Sequence, residues 1–277
     1  MAQSVSPLLV RRLCFTCGLL VVSALMFFWW HVWRAALRPD EIYTGLILIL
    51  LVLGLALFNA RKKLPFLPLV RAATWLQIHI YAGWFCLFVF LLHIRFRMPG
   101  GAFEITLALV FCIVILSGFF GLYISRHLPP RLARSGEPLL YERMPAFRLR
   151  IQREVEALVR QAEVETESST LSNFYVQYLR DFFTEKPSAF YALGRAGRKW
   201  HTLYAETSAL DRYLNEREKA IASEIRDWLE TKRNLDFQYA SQRLLKLWLF
   251  VHIPFTYSLI LLGLAHGFVA TLYAGRW

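Results

Sequence analysis

The chain has 277 residues, of which 56% are hydrophobic and 16% aromatic, and its mean hydropathy is positive, which excludes an ordinary soluble domain and points to a membrane protein. Its formal charge of +12 would suit nucleic acid, but the basic residues flank apolar runs or mix with acids along helical segments, without a Gly-rich or aromatic RNA motif. Nucleic acid is therefore excluded as a partner.

Apolar runs long enough to cross a bilayer, which takes about 20 residues, fall at 13–33, 41–60, 74–94, 104–124 and 247–272. The expected fold is all-α: a polytopic bundle of five transmembrane helices with a mainly helical soluble insert between the fourth and fifth. The corresponding boundaries are 1–125 for the first four spans, 126–246 for the insert and 247–277 for the last span. The first run follows Arg11 and Arg12 like a secretory signal, but it continues through Phe27, Trp29 and Trp30 without a small-residue cleavage site, so it reads as a span. Within it, Cys14 and Cys17 form a CxxC followed by Gly18 rather than His, which does not match covalent haem attachment. These two, with Cys86 and Cys112, read as small hydrophobes.

Arg11, Arg12, Arg61, Lys62, Lys63 and Arg71 flank one set of span ends, Arg34, Arg38, Arg95, Arg97 and Arg276 flank the other, and Arg126, Arg131 and Arg134 follow span four. The positive-inside rule then puts the N-terminus and the insert in the cytoplasm and the C-terminus outside, in a plasma or bacterial inner membrane.

The insert holds 21 of the 32 basic and 17 of the 20 acidic residues, so it is close to neutral. Its opening, with Pro129, Pro130, Gly136, Pro138 and Pro145, predicts an irregular strap rather than a long helix. A helix at about 146–165, a polar turn over VETESSTLSN, a short helix and a break near Lys186-Pro187 follow. From about 205, Leu210, Leu214, Ile221, Ile225, Trp228, Leu229 and Leu235 form one apolar stripe. No Pro or Gly lies between Ala205 and Ile253, so one helix is expected to run from here into span five.

Span three carries His79 and His93, and span five carries His252 and His266, each pair fourteen residues apart. Fourteen residues of α-helix turn through roughly 1400°, four turns less about 40°, and rise roughly 21 Å, so both histidines of a pair share a face. Spans three and five run parallel, which sets His79 opposite His252 and His93 opposite His266. Histidine in hydrocarbon is costly and marks a functional site by default. One such residue could simply bond a neighbouring helix, but two equally spaced pairs at matched depth fit a planar cofactor with two axial imidazoles, namely haem b. Zinc or copper fits less well, because ligands of one pair lie too far apart for one coordination sphere and no Cys, Asp or Glu lies at their depth.

Gly83 and Gly263, with Gly118 and Gly121 in span four, would leave room for a macrocycle, or in span four ease helix packing. Arg95 and Arg97 are candidate partners for the propionates of an outer haem; Arg71, Arg126, Arg243 and Lys246 for those of an inner one. His31 reads as an interfacial anchor, His127 as a surface residue within reach of a propionate or quinone, and His201 gives no signal.

The constellation resembles the diheme cytochrome b families, respiratory cytochrome b subunits and the membrane domain of ferric reductases and NADPH oxidases, over about 74–125 and 247–272. That resemblance implies two bis-histidine haems (His79 with His252, His93 with His266) relaying single electrons across the membrane, with quinol or quinone as small-molecule partner and a redox protein or larger electron-transfer complex as second partner. The chain lacks a flavin and nicotinamide module after span five and a Pro-Glu-Trp-Tyr motif, and its helical insert departs from the respiratory pattern. A haem subunit without separate activity, inside a larger respiratory or multi-haem complex, and a haem-based membrane redox sensor are the rival expectations.

Overall fold

The computed structural model describes residues 7–57, 72–135, 137, 139–194 and 196–274. It is all-helical, with no strand among the described residues. The chain divides into two units, one of residues 1–122 and 250–277, the other of residues 123–249.

The first unit contains α1 (Pro7–Ala35), α2 (Asp40–Ala56), α3 (Ala72–His93), most of α4 (Ala102–Leu132) and the end of α9 (Glu216–Ala274). Among the described residues, four helical stretches are long and apolar enough to cross a membrane: Leu9–Ala35, Ala73–His93, Ala102–Leu132 and Glu216–Tyr273. Helix α2, expected as the second span, is 17 residues long. At 1.5 Å per residue that is about 25 Å, against about 30 Å of hydrocarbon; residues 58–60 of the expected span, like Arg71, lie outside the described residues. Around the helices, Leu13, Leu20, Phe28, Leu50, Leu116 and Leu261 are exposed. So much outward apolar surface is costly in water and suits lipid.

Helix α2 packs closely along α3, with α1 against both. Helices α4 and α9 meet them through side chains, in a cluster of Val52, Cys86, Phe90, Phe111 and Leu259 where Phe90 stacks on Phe111 at 4.0 Å. Asp40 and Glu41 occupy the first turn of α2, where the helix dipole favours acids. Helix α3 ends in a Schellman turn: Phe96 N–H donates to the Leu91 carbonyl and Arg95 N–H to that of Leu92, both at 3.0 Å. Its left-handed position is Arg95, with φ 52°, rather than the usual glycine.

The second unit is built from α5 (Met144–Thr166), α6 (Thr170–Phe174), a π-turn (Tyr175–Leu179), α7 (Arg180–Thr184), α8 (Ala196–Leu210) and the first part of α9. Its core joins Met144, Ile151, Val155 and Val159 of α5 to Leu171, Leu179 and Phe183, and to Ile221, Ile225 and Leu229 of α9. The expected stripe is therefore the buried face. Lys232 and Asp236 form a buried ion pair in this unit, with Arg148 Nε 3.5 Å from the same carboxylate.

Two expectations are corrected. Helix α4 continues through Pro129 and Pro130 to Leu132, so the irregular segment starts at 133 rather than 126. Neither proline can donate an N–H to the helical ladder, but the turn that follows is held, Ala133 N–H donating to the Pro129 carbonyl at 3.0 Å. The helix expected from 205 is interrupted: α8 ends at Leu210, a 3-10 turn spans Asp211–Tyr213, and α9 begins at Glu216. Asn215 and Glu218 form a capping box there, Glu218 N–H donating to Asn215 Oδ1 at 2.8 Å and Asn215 N–H to Glu218 Oε2 at 3.0 Å.

Candidate functional site

All four span histidines fall in the first unit. The rings of His93 and His266 stand edge to face, with centroids 6.2 Å apart and planes at 87°. His266 also lies against Phe103, at 6.1 Å. His79 and His252 come within electrostatic range of one another.

The hydrogen bonds around the His93 ring fix which of its nitrogens carries the proton. His93 Nδ1 is 3.1 Å from the Glu41 carbonyl, which can only accept, so Nδ1 bears the hydrogen. Thr44 Oγ1, 3.2 Å from the same nitrogen, sends its own hydrogen to the Asp40 carbonyl at 2.7 Å and so accepts as well. Ser117 Oγ stands 2.7 Å from His252 Nδ1 and 2.8 Å from the Val114 carbonyl, a hydroxyl that can donate to or accept from the ring. With Nδ1 of His93 protonated, its Nε2 carries the lone pair of the neutral ring, and an N–H held by a second group is what metal-ligating histidines show. The His79 ring is held by the Leu55 backbone.

Two cavities adjoin these residues. One, of about 350 Å³, is lined by His93 and His266 with Gly45, Phe90, Phe111 and Gly263 among its walls. The other, of about 370 Å³, is lined by His79 with Trp75, Ala82, Gly54 and Leu55. Both are almost wholly apolar. Among the described residues, no three His, Cys, Asp or Glu side chains converge on a point that could hold a metal ion.

The glycines differ in role. A Cβ on Gly118 would stand 3.9 Å from His252 Cε1, one on Gly263 would stand 3.1 Å from Ile49, and one on Gly83 would meet nothing within 4 Å. Gly121 is buried in α4. Gly45, not anticipated from the sequence, is the tightest: its Cβ would stand 2.9 Å from His93 Cε1.

The expected cations are scattered. Arg95 is engaged by Asp40, which is 1% exposed, through Nη2–Oδ1 at 2.5 Å and Nε–Oδ2 at 3.3 Å, and by Glu41 at 3.0 Å. Arg97, Arg126 and Arg243 are exposed. Lys246 reaches Glu142 at 3.4 Å and lies over the Tyr141 ring at 3.8 Å. Arg71 is outside the described residues. His31 stacks near Phe27, His127 bonds the Tyr123 carbonyl at 2.8 Å, and His201 sits edge-on to Trp200. Asp40, Glu41, Thr44 and Ser117 also went unrecognised in the sequence. A signal existed for two of them, since Asp40, Glu41 and Glu104 are the three acids outside the insert.

No protein-family model, curated protein or solved structure matches this chain.

Proposed function

We propose that this chain is a diheme b-type membrane cytochrome that relays single electrons across the bilayer. The observation that carries the proposal is the His93–His266 pair. Two imidazoles bound to one metal from opposite sides, each at about 2 Å from it, have ring centroids about 6.4 Å apart; the two rings stand 6.2 Å apart. Support also comes from the Nδ1-protonated tautomer of His93 and from the apolar cavities beside His93, His266 and His79.

In this reading His93 and His266 hold the outer haem, and His79 and His252 the inner one. Bound haem would supply reversible one-electron redox chemistry. The chain's own residues ligate, orient the imidazoles through Glu41, Thr44 and Ser117, and keep water away with Phe90, Phe111 and Leu259. We further propose that α2 is a fifth span, that the N-terminus and the 126–246 insert face the cytoplasm with the C-terminus outside, and that quinol or quinone and a peripheral redox protein are the exchange partners. Replacing His93 or His266 with Ala should each remove one haem and leave the other, read by haem quantification. Loss of neither would overturn the pairing.

A further inference from the structure

We infer that Asp40 and Arg95 are positioning residues for His93, acting as a clamp that presses the first turn of α2 onto the end of α3 and so fixes the ring that faces His266. This rests on the diheme reading and names what regulates its outer site.

Three observations lead there. The groups that accept from His93 Nδ1 are the Glu41 carbonyl and Thr44 Oγ1, and Thr44 is in turn anchored on the Asp40 carbonyl. All belong to the first turn and a half of α2, so their aim depends on where that turn sits. Arg95, two residues past His93, grips the same turn through both Asp40 and Glu41. Finally, Arg95 occupies the left-handed position of the Schellman turn, and Phe96 follows with φ 55°. A left-handed non-glycine residue is disfavoured, and glycine would serve the turn better. An arginine retained there is explained by its side chain, which the turn carries back onto Asp40. Gly45 completes the arrangement by letting α2 approach the ring.

Donation from Nδ1 raises the basicity of an imidazole ligand, which favours the oxidised metal. Loosening the clamp should therefore weaken the outer site and raise its potential without touching the inner one. The test uses the purified full-length protein and the variants Asp40→Asn, Arg95→Gln and Arg95→Gly. Arg95→Gly relieves the left-handed backbone and so guards against a simple failure to fold. Each variant is expected to hold one of the two haems about tenfold more weakly, with an upward shift in that haem's midpoint potential and no change in the other. Histidine-labelled 15N spectra should show a single Nδ1–H tautomer of His93 in the wild type and a mixture in the variants. Unchanged affinity, potential and tautomer in all three would overturn the inference while leaving the diheme reading in place. The tautomer readout needs no haem, so a wild-type protein that binds none would sink the diheme reading while the spectra still decide the clamp.

Discussion

A single methyl group placed on Gly45 would lie 2.9 Å from Cε1 of His93, closer than carbon atoms pack without one of them moving. Gly45 and His93 are therefore fitted to each other, although 48 residues separate them in the chain. Gly45→Ala should displace the ring by a few tenths of an ångström and weaken haem retention at the outer site about 10–100-fold, the range seen when a ligand's support is disturbed. Gly18→Ala, on α1 with nothing within 4 Å of the added carbon and lining neither cavity, is the control for a methyl added to a span glycine. Haem content after dilution of each purified variant separates the two.

The perpendicular rings make a spectroscopic prediction. Imidazole planes at 87° leave the iron d-orbitals nearly degenerate, so the oxidised outer haem should give a highly anisotropic low-spin EPR signal. In His266→Ala that signal should vanish while the inner haem's signal persists. A rhombic signal typical of parallel imidazoles at the outer site would show that the rings turn on binding.

Much of this was legible in the sequence, and for physical reasons. Apolar runs of twenty residues have few other uses, so four of the five expected spans are found among the described residues, and imidazole in hydrocarbon is costly, so the four histidines stand out in the sequence. What supports the histidines does not stand out. Thr44 and Ser117 are ordinary helix residues whose hydroxyls bond their own backbone, and only the approach of α2 to α3 and of α4 to α9 turns them toward a ring. Arg95 read as a propionate partner because its sequence neighbour is His93; its acidic partners lie more than fifty residues earlier.

The break before α9 was missed because its signal is a cap, Asn215 with Glu218 three residues on, rather than a proline or glycine. Asn215→Ala should cost about 1 kcal/mol by leaving the Glu218 N–H without its side-chain acceptor. A lowered thermal midpoint of the full-length protein in detergent, with unchanged haem content, is the expected result.

Acid should loosen the same region through Glu165. Its bidentate contact with Arg217, at 2.5 and 3.2 Å, holds its carboxyl at about 2, below the ordinary 4.5. A depressed carboxylate contributes stability above its unfolded value and loses it as pH falls toward the folded one, here between about 4.5 and about 2. The pair is exposed, so the effect should be small and should fade at high salt. Thermal midpoints measured across this window should fall less steeply in Glu165→Gln than in the wild type.

The central claim is the two haems, and the most direct test is a reduced-minus-oxidised spectrum of the purified chain with haem quantified against protein. Two b-type haems per chain, falling to one in His93→Ala, is the predicted result; a chain that takes up no haem, whether expressed with ample haem or reconstituted, would contradict it.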